Sequence, residues 1–293
     1  MTTHSLGYVG LGLMGTAMCE RLLEKGWRLT VWNREKQRIG PIAALGAMPA
    51  ASPAEVAATS DIVLMCVLHT DAVRECVFGP DGIASAGRLD GKVLIDHSTI
   101  DPAASREMAA KLRAATGMAW VDAPISGGPP AARSGTMAVM AGGDAGDIDK
   151  VRAVMRDLAA NLTHMGPAGA GQTTKVINQA IVGTGFVVMA EALALAERSG
   201  IDAARLPQCL AGGFADSSLL QRIYPQMQER RFEPPLSYAR QLLKDLKFLK
   251  AFAHGLGLDL PVVESAVAQY TTYVEAGNEM VDSASIVRLY DKK

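Results

Sequence analysis

The sequence predicts a doubly wound α/β domain followed by an all-helical one, and three observations carry that prediction. In the first half, short β-branched runs alternate with amphipathic or alanine-rich stretches, the pattern of strands separated by helical crossovers. The runs are continuously apolar, as strands of a mostly parallel sheet are when helices cover both faces. After about Asn161 the strand signals fade, and from Ala170 onward the pattern is helical.

Taken in order, the candidate strands are Leu6 to Val9, Arg28 to Trp32, Ile62 to Leu68, Val93 to Asp96, Trp120 to Ala123 and Met137 to Ala141. Helical stretches lie between most of them, for example Gly15 to Lys25 and Pro102 to Ala115. Beyond Ala170 the helical pattern breaks at Gly200, Gly212-Gly213, Pro234-Pro235 and Gly255, residues that end or kink helices. The expected division is residues 1–165 and 166–293, with no Ser/Gly-rich linker between them. The long apolar segment starting near Gln172 is expected to begin at that junction.

Composition narrows the function. A chain of 293 residues is long enough for one large or two ordinary domains, and 49% hydrophobic against 20% charged residues excludes a disordered protein. Lys plus Arg number 29 and Asp plus Glu 30, so no basic excess exists to neutralise a phosphate backbone, and no nucleic-acid partner is expected. Cys19, Cys66, Cys76 and Cys209 form no CxxC pair, and no His stands at zinc-ligand spacing, so the reading is reduced thiols and no metal. The start, MTTHSLGYVGLGLMG, has no cationic head before its apolar stretch, unlike a signal peptide. Val176 to Ala196 could mimic a membrane span, but Asn178, Gln179 and Glu191 interrupt it and Ala and Gly replace the usual Leu and Ile. That composition suits a helix buried on nearly all sides, with a face available to a second subunit. The expectation is a soluble cytoplasmic protein with no membrane partner.

Gly10, Gly12 and Gly15 form GxGxxG directly after an apolar strand and at the start of a helix. In that context the first glycine permits a tight turn, the second lets a pyrophosphate approach the backbone, and the third allows helix to pack on strand. The amides at the helix N-terminus then favour the anion, which makes Gly10, Leu11, Gly12, Leu13, Met14 and Gly15 the candidate dinucleotide cradle. The second strand ends TVWNRE. A neutral Asn33 followed by Arg34, where an acid would usually bind the ribose hydroxyls, suits a 2′-phosphate, so NADP is favoured and NAD remains open. Glu35 would repel that phosphate if it pointed inward.

These motifs, with three more in order along the chain, make the sequence resemble the β-hydroxyacid dehydrogenases. GLGLMG at Gly10 to Gly15 is similar to the family's cofactor motif, and DAPISGGPPAARSGTMAVMAGG, Asp122 to Gly143, to its substrate-binding motif. GAGQTTKVINQ, Gly169 to Gln179, is similar to the catalytic helix, and KDL at Lys244 to Leu246 to a further cofactor or substrate contact. The resemblance covers essentially the whole chain. It implies an extended Rossmann domain, a long interdomain helix, and a helical domain that mediates homodimers or homotetramers.

The resemblance makes Lys175 the candidate catalyst. Hydride delivery to a carbonyl leaves an alkoxide that needs a proton and a nearby positive charge, and a partly desolvated ammonium supplies both. Ser126, Gly127 and Gly128 offer a hydroxyl and approachable amides for the substrate carboxylate, while Asn178 stands one turn beyond Lys175 with an amide to donate. In relatives a second Asn often follows; here it is Gln179. The family also implies Phe232 near the substrate, Lys244 near substrate or nicotinamide, Thr99 of DHSTIDP against the nicotinamide, and Leu68, ending the third strand, supporting the cofactor through its backbone. A Pro often follows that position in relatives, whereas His69 and Thr70 do here.

The implied activity is an NADP-preferring oxidoreductase interconverting a short aldehyde or keto acid with its hydroxy acid. Asn33-Arg34 and GGFADSSLLQ, Gly212 to Gln221, lean toward the tartronate semialdehyde or glyoxylate/succinic semialdehyde reductases. A 3-hydroxyisobutyrate dehydrogenase is the close alternative. Imine reductases and non-catalytic NADP-binding relatives are the others, and both typically lack the lysine present here as Lys175.

Overall fold

A computed structural model describes residues 4–291, and the chain divides into two compact units, Met1–Lys175 and Val176–Lys293. The first holds strands β1 (Leu6–Val9), β2 (Leu29–Trp32), β3 (Met48–Pro49), β4 (Ile62–Met65), β5 (Val93–Asp96), β6 (Ala119–Asp122), β7 (Ile125–Ser126), β8 (Met137–Gly142) and β9 (Ala159–Gly166). Its helices are α1 (Leu13–Glu24), α2 (Ile39–Ala43), α3 (Pro53–Thr59), α4 (Thr70–Phe78), α5 (Pro102–Thr116), α6 (Gly128–Ser134) and α7 (Ala145–Leu158). Helix α8 (Ala170–Ser199) begins in this unit and continues as the first helix of the other, so it links the two.

The sheet order is β3-β2-β1-β4-β5-β6-β8-β7, with β9 beside β8. All pairs from β3 to β6 are parallel, and the order reverses direction at β1, which pairs β2 on one side and β4 on the other. Ligands of open α/β sheets gather at such a switch point, beyond the carboxyl ends of the strands. Period-two alternation splits the apolar strand residues between two cores. Leu6, Ile62, Leu64, Val93 and Ile95 pack with Met18, Leu22, Val151 and Met155 of α1 and α7. Val9, Val63, Met65 and Leu94 pack with Val56, Val73, Met108 and Leu112 of α3, α4 and α5. The expected doubly wound, mostly parallel sheet is therefore present.

Helix ends follow local chemistry. The Asp101 carboxylate accepts from the N–H groups of Ala103 and Ala104 at the start of α5, Pro102 fills the first position, and Gly117 closes the helix in the left-handed region. His69 does the same for α4, its Nδ1 accepting from Ala72 N–H at 3.1 Å. Three strands lie outside the sequence expectation. β3 and β7 have two residues each, too short for any periodicity, and β9 is largely exposed along one side of β8. One expectation needs correction: Leu68 does not end a strand. The strand stops at Met65, and Leu68 lies three residues on, in the turn before α4.

The helical unit contains the rest of α8, then α9 (Leu206–Leu210), α10 (Tyr224–Gln228), α11 (Ala239–Gly255) and α12 (Pro261–Tyr273). Helix breaks fall at Gly200, at Gly212-Gly213 and after Gly255, as the sequence predicts. Phe186, Ala190 and Leu193 of α8 share a core with Tyr224, Met227, Leu246, Leu249, Tyr270 and Ile286. The small residues of α8 allow close approach: a Cβ at Gly183 would sit 2.6 Å from Leu246. By length and composition α8 is apolar enough to cross a membrane, but one side of it belongs to this core. Its other side differs from the expected all-round burial, since Ile177, Ile181, Val188 and Leu195 are exposed. Their spacings of four, seven and seven residues, close to whole helical turns, put them on one stripe.

Candidate active site

The glycine-rich turn leaves the end of β1. Gly10 has φ +101° and donates its N–H to Trp32 O, and a Cβ there would overlap the carbonyl of Cys66. A Cβ at Gly15 would overlap the carbonyl of Gly10, so this glycine lets α1 lie against the turn. Gly12 differs: it is exposed, and a Cβ there would meet no atom within 4 Å. It stands immediately before α1, whose first turn has no side-chain cap and no acidic residue. The amides of Leu13, Met14 and Gly15 are therefore left to an anion from outside, and the open approach at Gly12 fits the pyrophosphate of a dinucleotide.

Asn33 holds this turn to the second strand. Its Oδ1 accepts from Leu11 N–H at 2.8 Å, and its Nδ2 donates to Glu35 O at 2.9 Å. An Asp could make the first bond but not the second. Arg34 is exposed and in no ion pair among the described residues, while the Glu35 carboxylate is neutralised by Arg38. The repulsion that Glu35 would exert on an anion beside Arg34 is thereby reduced.

A second cluster lies at the ends of β5 and β6, where Asp96 and Asp122 are partners across the parallel ladder, both fully buried. The Asp122 carboxylate caps α8, accepting from Gly169 N–H at 2.7 Å and from Gln172 N–H at 2.9 Å. Burial pushes its pKa up to about 6 against the opposing pull of those donors. Asp96 accepts from Ser98 N–H through Oδ1, and its Oδ2 has no hydrogen-bond partner among the described residues. Burial and, to a lesser degree, the neighbouring Asp122 charge push it up to about 7. Between these strands His97 is held at Nδ1, 2.6 Å from Ala123 O, and burial lowers its pKa to about 4. The ring is thus neutral at physiological pH, with Nδ1 carrying the donated proton.

Lys175 stands on the second turn of α8 with only 8% of its surface exposed, and its Nζ donates to Ile125 O at 2.7 Å. Ile125 immediately precedes the candidate carboxylate turn. Ser126 is half-buried, and Gly127 and Gly128 have φ +128° and +70°, conformations that L side chains rarely adopt. The fold therefore brings Lys175 to the Ser126–Gly128 turn across fifty residues of sequence. Thr99 is half-buried between Ser98 and Ile100. The buried Gln172 side chain spans those two neighbours, donating to Ser98 O at 2.7 Å and accepting from Ile100 N–H at 3.0 Å. Ser98 in turn accepts from Val67 N–H at 2.9 Å through its hydroxyl, which ties down the turn that carries Leu68.

In the helical unit, Asn178 Nδ2 donates to Gln179 Oε1 at 2.8 Å and Gln179 Nε2 donates to Asp245 Oδ2 at 2.7 Å. Asp245 also pairs with Lys244 at 3.0 Å. The residue that departs from the family pattern, Gln179, thus bridges Asn178 to the KDL segment. Phe232 is buried in the helical core with the Arg288 guanidinium 5.0 Å from its ring centre. Sequence reading missed the roles of Asp122, Asp96, His97 and Gln172. All four lie inside the quoted stretches, but no spacing rule marks a capping carboxylate or a bridging amide.

Comparison with known proteins places the chain among nicotinamide-dependent dehydrogenases and reductases. Residues 5–166 match a family described as the NAD binding domain of 6-phosphogluconate dehydrogenase. Residues 169–290 match the family described as NAD-binding of NADP-dependent 3-hydroxyisobutyrate dehydrogenase. The chain is 36% identical over 287 residues to 2-hydroxy-3-oxopropionate reductase of Escherichia coli (strain K12), covering 97% of this chain and 96% of that one. Among solved structures, 3-hydroxyisobutyrate dehydrogenase from Salmonella typhimurium superposes with a TM-score of 0.87 at 29% identity, covering 97% and 99%. The Mycobacterium tuberculosis 3-hydroxyisobutyrate dehydrogenase, solved with L-serine, superposes at 0.86 and 26% identity, covering 99% and 100%.

Proposed function

The chain belongs to the β-hydroxyacid dehydrogenase family and is an NAD(P)-dependent hydroxyacid dehydrogenase or reductase, and on that premise we propose that it is an NADP-preferring reductase of a short semialdehyde or keto acid. Tartronate semialdehyde, glyoxylate and succinic semialdehyde are its candidate substrates. The observation that carries this reading is the buried Lys175 ammonium, anchored by Ile125 O beside the Ser126–Gly128 turn. When bound, the reduced nicotinamide supplies a hydride to the substrate carbonyl carbon.

The chain's own residues do the rest. Lys175 gives a proton from Nζ to the carbonyl oxygen, and in the oxidative direction its neutral amine takes the hydroxyl proton. The Ser126 hydroxyl and the Gly127 and Gly128 amides hold the substrate carboxylate without a guanidinium. Gly10 to Gly15 hold the pyrophosphate, Asn33 fixes that turn, and Arg34 meets the 2′-phosphate. Thr99 and the backbone at Leu68 face the nicotinamide. In the helical unit, Asn178 and Phe232 are the candidate substrate residues and Lys244 the candidate cofactor residue. The working form is a cytoplasmic homodimer or homotetramer, for which the exposed α8 stripe is suited.

A relative 36% identical is named 2-hydroxy-3-oxopropionate reductase, which puts tartronate semialdehyde at the head of the candidate substrates. The test is NADPH and NADH oxidation by purified protein over a panel of semialdehydes and keto acids. Turnover of one panel member with preference for NADPH supports the proposal. The solved 3-hydroxyisobutyrate dehydrogenases favour a second reading. Turnover confined to 3-hydroxyisobutyrate with NAD+ would replace the first by the second.

A further inference from the structure

We propose that Gln172 is a positioning residue that locks the nicotinamide-facing loop to the catalytic helix. Its amide grips both sides of Thr99, donating to Ser98 O and accepting from Ile100 N–H, while its own backbone N–H is held by the Asp122 carboxylate. One helical turn further on stands Lys175, bonded to Ile125 O. Three segments that are distant in sequence therefore meet at this residue: the end of β6, the loop 97–101 that follows β5, and the first turn of α8. The inference rests on the proposed roles of Thr99 and Lys175.

The geometry fits positioning better than mere burial. Gln172 is fully buried, and it uses both ends of its amide on backbone groups that no strand or helix satisfies. An apolar side chain of the same length would fill the space but release the loop. Hydride transfer demands reacting atoms about 3–3.5 Å apart, so a loop and a helix free to shift by an ångström would lose rate without losing cofactor affinity.

The test compares wild type with Gln172→Met, of similar length and without hydrogen bonds. Gln172→Glu, which keeps the acceptor toward Ile100 and loses the donor toward Ser98, stands in if the first variant is poorly folded. In cofactor-free protein, amide exchange at residues 98–100 should rise at least ~10-fold, with β1 and β4 unchanged. NADPH affinity should stay within about threefold, while kcat falls toward ~10²-fold and the deuterium isotope effect from 4-deuterated NADPH grows. Unchanged exchange at 98–100 overturns the clamp, whatever the activity. So does a loss of kcat/KM fully matched by weaker NADPH binding. Absence of turnover by the wild type sinks the functional reading instead, and the exchange measurement still decides the clamp.

Discussion

Asp96 offers a quantitative test of the buried carboxylate cluster. The carboxyl is fully buried, Oδ2 has no partner among the described residues, and its pKa is pushed up to about 7 from an ordinary 3.8. The folded state therefore keeps a proton between about pH 4 and pH 7 that the unfolded chain releases. Where the folded state binds more protons, stability falls as pH rises, and it levels off above the folded pKa. The gap corresponds to roughly 4 kcal/mol. Asp122, raised to about 6, adds in the same direction between pH 4 and 6. Asn is isosteric with the protonated acid, so Asp96→Asn removes this penalty and leaves the packing intact. Urea unfolding of cofactor-free protein from pH 5 to pH 8 should show the variant gaining on wild type as pH rises, by about 3 kcal/mol, the part of the gap that lies above pH 5. A difference between variant and wild type that stays constant across that range would refute the reasoning.

Two further predictions concern the cofactor turn. Gly15→Ala drives a methyl into the Gly10 carbonyl and should cost about 1–3 kcal/mol of stability, read as a lowered Tm. Gly12→Ala meets open space and should leave Tm unchanged while weakening NADPH binding; equal Tm losses for both would contradict the assigned roles. Arg34→Ala should reduce kcat/KM for NADPH by roughly 10–100-fold, the worth of a hydrogen bond to a charged group, with little effect on NADH. Equal losses with both cofactors would remove Arg34 from the 2′-phosphate.

The parallel sheet, its helices and the glycine turn were legible because their signals are local: apolar runs, period changes and a fixed glycine spacing. What escaped was local only in part. β3 spans Met48–Pro49, and β9 exposes most of its residues, so neither displays an alternating face. Asn33, read with Arg34 as suiting a 2′-phosphate, also holds the turn at Leu11, a contact that no local pattern displays. Gln172 and Asp122 act through partners some 50 to 74 residues away, a distance that no spacing pattern encodes. The surroundings of Phe232, in the helical core beside Arg288, are likewise set by the tertiary structure. Lys175 is singled out in the sequence mostly by the family resemblance, since a lysine on a helix is most often a surface residue. Its burial and its bond to Ile125 belong to the tertiary structure.

The central claim is that Lys175 moves the proton. Its most direct test is single-turnover oxidation of NADPH by Lys175→Met, with the best panel substrate saturating and NADPH affinity measured separately. The account predicts a rate lower by ~10²–10⁴-fold, the usual worth of general acid catalysis, with NADPH affinity within about threefold of wild type. A hydride-transfer rate within a few-fold of wild type would contradict it.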